Sequence, residues 1–140
     1  MKCVIESVVL SPSDVASLCV GGRLVFTCTT NQSIIRWNVT TSQSGRIHTR
    51  TRLVSPTSQS TIPLLVNMNS FNVTRNSSYG SLPLTSVLSI ANVSVDLNET
   101  KVSCTGVGSS TAEASTLVAT VHVFTAADLG KLNYYNSGHK

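Results

Sequence analysis

Three arginines and a histidine at every second position are the clearest chemical signal in this chain. Residues 45–52 read GRIHTRTR, so Arg46, His48, Arg50 and Arg52 recur with a period of two. Guanidinium groups present planar forks of donors that match carboxylate, sulfate or phosphate oxygens. Such a row could hold nucleic acid, an acidic protein surface or a sulfated glycan. The plainer alternative is protection, because charges on an edge strand discourage edge-to-edge aggregation.

A second signal is the acceptor pattern for N-linked sugar, Asn-x-Ser/Thr. It occurs at Asn31, Asn38, Asn72, Asn76, Asn92 and Asn98. Ten Asn among 22 Ser and 17 Thr in 140 residues give about three matches by chance, so six is a modest excess. A chain with few charges gains solubility from surface glycans.

Catalytic and metal-binding constellations are not suggested. The carboxylates are Glu6, Asp14, Asp96, Glu99, Glu113 and Asp128, with no inward pair at a strand spacing that would serve acid–base chemistry. His48, His122 and His139 are scattered, and no Cys/His set has zinc spacing. His122 reads as a surface residue. Gly106-Val107-Gly108 resembles part of a nucleotide loop, but no helix follows, so it reads as the turn between the last two strands. The expectation is a non-enzyme without cofactor or metal.

Composition narrows the class further. A length of 140 residues suits one domain with a short appendage and is long enough to bury a core. With 11% charged residues and a net charge of +4, the chain lacks the dense basic footprint of a duplex-binding domain, so nucleic acid is not an expected partner. MKCVIESVVLSPSDV has no long apolar signal region, and no apolar run approaches the roughly 18 residues of a membrane-spanning segment.

The elements that must carry these residues are strands. Period-two alternation recurs between turn-like clusters, and helical periodicity is weak throughout. The alternation predicts strands at 4–12, 21–30, 33–40, 46–53, 84–94, 100–106 and 113–124, with short edge strands near 63–68 and 71–75. Leu24, Phe26 and Cys28 share a face, as do Ile35, Trp37 and Val39, and Leu117, Ala119, Val121 and Val123. Leu88, Ile90, Val102 and Cys104 are also expected inward. The first strand is expected to pair antiparallel with the second. Residues 125–140 show no pattern and read as a linker or stalk. Seven to nine such strands argue for a two-sheet sandwich, with a small closed barrel as the alternative.

Four cysteines allow three full pairings. Cys28 and Cys104 both fall on inward strand positions, with Trp37 inward between them. Together with GRLVFTC, IIRW, SVLSIANVS and LNETKVSC, this arrangement resembles the immunoglobulin superfamily over residues 4 to about 124. The resemblance implies an all-β, immunoglobulin-like Greek-key β-sandwich of two antiparallel sheets over 4–124. It implies a Cys28–Cys104 inter-sheet disulfide with Trp37 packed against it, worth about 4 kcal/mol on a chain-entropy model. It also implies an extracellular recognition or adhesion module, binding a protein partner or itself. Cys3 and Cys19 remain, either paired with each other, joined to a neighbouring module or present as two reduced thiols.

Two departures separate the chain from antibody domains. Val102 stands where the family has its corner Tyr, and the last strand lacks the Phe-Gly-x-Gly bulge. A divergent, V/I-like receptor or adhesion module of invertebrate type is implied instead. In that topology the 46–53 strand lies at a sheet edge. Arg46, His48, Arg50 and Arg52 are then expected outward, on the positive face that Arg36 and Lys101 share, with Ile47 and Leu53 inward. Asn38 is expected on that same face, where a sugar would obstruct a flat partner. Glycosaminoglycan binding through Arg46, Arg50 and Arg52, or service as a passive spacer, are the other readings.

Overall fold

Alternating apolar residues fold this chain into two stacked sheets. The computed structural model describes residues 8–9, 14–19, 21–43, 45–66, 69–108 and 116–124. Within these lie β1 (Val8–Val9), β2 (Asp14–Cys19), β3 (Leu24–Thr30), β4 (Ile34–Gln43), β5 (Arg46–Val54), β6 (Thr61–Val66), β7 (Asn69–Arg75), β8 (Leu84–Ile90), β9 (Lys101–Val107) and β10 (Thr116–Phe124). One sheet runs β1-β3-β8-β7-β6 and the other β2-β10-β9-β4-β5. Four strands of each are antiparallel, and each gains one parallel N-terminal strand, β1 on β3 and β2 on β10. The chain changes sheet between β1 and β2, β2 and β3, β3 and β4, β5 and β6, and β8 and β9. The result is an immunoglobulin-like Greek-key sandwich.

The N-terminal strands differ from the sequence expectation. Of the strand expected over 4–12, antiparallel to its successor, the described residues are β1, and a further strand that the sequence reading did not predict, β2, lies in the other sheet. β1 pairs parallel with β3 through Val8↔Phe26 and Val9↔Thr27. The 125–140 tail lies outside the described residues.

The core follows the alternation closely. Leu24, Phe26, Cys28, Ile35, Trp37, Val39, Leu84, Leu88, Ile90, Val102, Cys104, Ala119, Val121 and Val123 are all buried. At its centre a four-cornered brace joins the sheets. Cys28 lies beside Ser86 in the first sheet, and Trp37 beside Cys104 in the second. The disulfide joins Cys28 to Cys104 across 76 residues of sequence, with Cα atoms 6.5 Å apart. Trp37 Nε1 donates to Ser86 Oγ at 2.8 Å, and Ser86 Oγ donates to the Thr74 carbonyl at 2.7 Å. A covalent bond and a hydrogen bond thus cross the core side by side. The indole is fully buried with its N–H satisfied.

The corner that precedes β9 is built without a tyrosine. Val95–Leu97 form one 3-10 turn, with Leu97 buried. Asn98 Oδ1 accepts from Val123 N at 2.8 Å, and Glu99 N donates to the Val121 carbonyl at 2.7 Å. These bonds stitch the corner to β10.

Candidate functional site

The arginine row faces the opposite way from the sequence expectation. In an antiparallel pair, residues directly opposite each other share a face. Trp37 pairs with Arg52, Val39 with Arg50, Thr41 with His48 and Gln43 with Arg46. The row therefore lies on the core-facing side of its sheet. Arg36, Asn38 and Thr40 pair with Leu53, Thr51 and Thr49, so Ile47 and Leu53 point outward. They are 74% and 55% exposed, where inward positions were expected.

The row stays exposed because, among the described residues, no strand pairs with the outer edge of β5. β5 ends its sheet, and Val54 is the one buried residue of the strand. β6 could have extended the β5 ladder. It pairs instead with β7 in the other sheet. Arg52 spans the resulting gap, its Nε donating to the Pro63 carbonyl of β6 at 3.0 Å and its Nη1 to the Thr51 carbonyl at 3.3 Å. Among the described residues, the side chains of Arg46, His48 and Arg50 make no hydrogen bond or ion pair. The predicted four-residue site thus divides into one sealing arginine and three free side chains.

Asn38 does not share the face of this row. It is half-buried on the outer face, where its Oδ1 accepts from Thr51 Oγ1 at 2.6 Å. A sugar there would stand on the far side of the sheet from Arg46, His48 and Arg50. Lys101 and Arg36 are exposed on that outer face too, so positive charge is split between two faces. Beside Lys101, a shallow depression of about 130 Å³ is lined by Thr40, Ser42, Ile47 and Glu99.

The other sequons map to turns and to the opposite sheet. Asn31, Asn72, Asn76, Asn92 and Asn98 are exposed, with Asn72 on β7 and the rest in connections. None of the six lies on β5 or β6. The sequon at Asn98 is unusual, because Thr100 is buried and its Oγ1 has no hydrogen-bond partner among the described residues.

Several other expectations can be placed. His122 is half-buried, with Nδ1 3.9 Å from Glu99 Oε1. Gly106 is no turn residue but a buried position of β9 opposite Ile35. A Cβ there would strike the Thr30 hydroxyl, which is why glycine interrupts the strand. Cys3 and the side chain of Cys19 lie outside the described residues, as does His139. Among the described residues, no three His, Cys, Asp or Glu cluster to hold a metal, and no helix is long and apolar enough to cross a membrane. Sequence reasoning missed Ser86, although a lone serine in the inward row Leu84, Ser86, Leu88, Ile90 signals a buried polar partner.

No family model and no curated protein matches this chain.

Proposed function

We propose that this domain is a non-enzymatic, extracellular recognition or adhesion module of the immunoglobulin type, carried by a cell-surface or secreted protein. The observation that carries the reading is the brace of Cys28, Cys104, Trp37 and Ser86. A disulfide at the centre of a core persists in oxidising compartments. The exposed sequons fit that setting, since their acceptors are available where glycosylation occurs. Secretion from eukaryotic cells behind a heterologous leader tests this directly. The expected product is released, shifts in mass on glycosidase treatment and yields a Cys28–Cys104 peptide under non-reducing digestion. Retention inside the cell with free Cys28 and Cys104 thiols would overturn the reading.

A second reading, binding of an anionic ligand, is favoured by one specific observation. Arg46, His48 and Arg50 are exposed and, among the described residues, their side chains make no hydrogen bond or ion pair. Heparin-column retention of parent and Arg46→Ser/Arg50→Ser protein tests it. Both substitutions are at exposed strand positions, so the fold should be unaffected. Elution at the same salt would remove this reading.

A further inference from the structure

We propose that the free edge of β5 accepts an extended acidic peptide segment, which adds to the second sheet as a further strand. This inference rests on the recognition reading above and names the partner class and the site.

The first ground is the shape of the edge. The β4–β5 ladder runs from Gln43↔Arg46 to Ile35↔Val54 without a bulge. Its outer strand, Arg46–Val54, pairs with no strand except β4 among the described residues. A regular, unpaired edge offers its backbone N–H and C=O groups as a template for another strand. The opposite lip of the gap is poorer, because β6 is shorter and carries Pro63 within it.

The second ground is the match of repeats. Arg46, His48 and Arg50 stand about 6.8 Å apart along the strand, twice the antiparallel rise per residue. An added strand has the same spacing. Carboxylates at every second residue would therefore each meet a cation directly across the new ladder, the arrangement that stabilises cross-strand pairs. The alternate positions of that segment would lie beside Ile47 and Thr49 on the outer face, where Ile47 is 74% exposed. The partner is thus acidic at one parity and apolar or β-branched at the other. Arg52 is committed to the Pro63 and Thr51 carbonyls, so the open stretch is Arg46–Arg50.

The third ground is what the surface rejects. A second copy joined edge to edge about an axis normal to the sheet would set cation against cation, which destabilises pairing. A sulfated glycan could take the guanidinium groups but would leave the β5 backbone groups and Ile47 without partners. No sequon lies on β5, and Asn38 points away from the cationic row.

The test is a titration of the whole domain with a blocked, fluorescent peptide of about ten residues alternating Glu and Val. Parent protein should bind it, and amide cross-peaks should connect the peptide to Arg46–Arg50. Arg46→Glu/Arg50→Glu protein should bind about tenfold more weakly, and a peptide alternating Lys and Val should recover binding to that variant. A peptide N-methylated on the edge-facing residues loses its backbone donors and should fail. Equal binding of the N-methylated peptide would overturn strand addition. So would binding of a heparin fragment without binding of the peptide, or arginine-dependent self-association without it. A secreted, disulfide-bonded domain that ignores the peptide overturns this inference alone. Free Cys28 and Cys104 thiols would overturn the recognition reading instead.

Discussion

β4 and β5 are neighbours in one ladder, and both alternate, but they meet opposite fates. On β4 the row Ile35, Trp37, Val39 and Thr41 is buried. On β5 the facing row of Arg52, Arg50, His48 and Arg46 shares that side of the sheet and is exposed. The difference lies in what stands opposite. β4 has β9 on its other flank and the first sheet above it, with the disulfide and the Trp37–Ser86 bond across the gap. β5 pairs with β4 alone among the described residues, and only its Val54 is buried. A period of two assigns residues to a common face; only the neighbours decide whether that face is core or surface.

The largest effect should separate the two strands outright. Trp37→Ala removes the largest fully buried side chain and leaves Ser86 Oγ without its donor. Urea unfolding should show a loss of about 4 kcal/mol. Arg50→Ala, two register positions along the facing strand, should stay within about 0.5 kcal/mol of the parent. Equal losses would mean that β5 is part of the core after all. Removing Cys28 and Cys104 together with Trp37→Phe should be non-additive, because the two links cross the same gap.

This contrast also explains what could be read from the sequence. The strands other than β2, the buried Cys28, Trp37 and Cys104, and the exposed sequons outside β4 all follow from local pattern and residue type. The phase of β5 does not. Its strand carries Arg46, His48, Arg50 and Arg52 on one parity and Ile47 and Leu53 on the other. Hydrophobicity alone sends Ile47 and Leu53 inward. Shifting the reading by one residue exchanges the two faces. The register with β4 fixes the phase, and Val54, not Leu53, enters the core. The sheet to which β6 belongs is a tertiary fact, and it decides that the arginine row stays bare. The division of β1 and β2 between the two sheets is similarly non-local.

A smaller effect sharpens the comparison within the braced half. Gly106→Ala places a methyl group against the Thr30 hydroxyl and 3.1 Å from Thr30 Cβ, beside the β3–β4 turn. Thr30 is β-branched, and its Oγ1 already accepts from Gln32 N at 3.0 Å, so it has little freedom to yield. The expected loss in urea unfolding is roughly 1–3 kcal/mol. Gly108→Ala meets only the Gln32 side chain, chiefly its amide oxygen and Cδ, the end of a flexible chain that can turn away. Its cost should stay within about 0.5 kcal/mol. If both variants cost the same, the Thr30 contact does not limit the packing of β9.

Smaller still, and opposite in sign, is a change at Thr100. Its hydroxyl is buried without a partner among the described residues. Thr100→Val keeps the shape and removes the unpaired group, so protein made without glycosylation should gain about 1 kcal/mol. Thr49→Val on β5 is the matched control. Thr49 is exposed and shares a hydrogen bond of 3.0 Å with Thr40, so its replacement should bring no gain. A gain at Thr100 would have a functional meaning as well. The hydroxyl that a core position disfavours is the one the Asn98 sequon requires, so its retention would support a glycan at the corner beside β10.

The smallest expected effect is a pH dependence, again confined to the corner. Asp96 has its carboxyl held below the ordinary value of 3.8, chiefly by the Ser94 hydroxyl, with the Asn69 amide adding at 3.1 Å and desolvation opposing both. A carboxylate with a lowered folded-state pKa contributes stability above its unfolded value, and that contribution is lost as pH falls through the folded one. The urea midpoint of the parent should therefore exceed that of Asp96→Asn at neutral pH. The gap should shrink only below about pH 4. Asp96 is exposed, so the gap should be small and reduced further by salt. β5 has no carboxylate to titrate, and an Arg50→Ala variant should keep the parent's acid profile. A gap between parent and Asp96→Asn that persists unchanged into acid would mean that the bonds to Ser94 and Asn69 stabilise the corner regardless of charge.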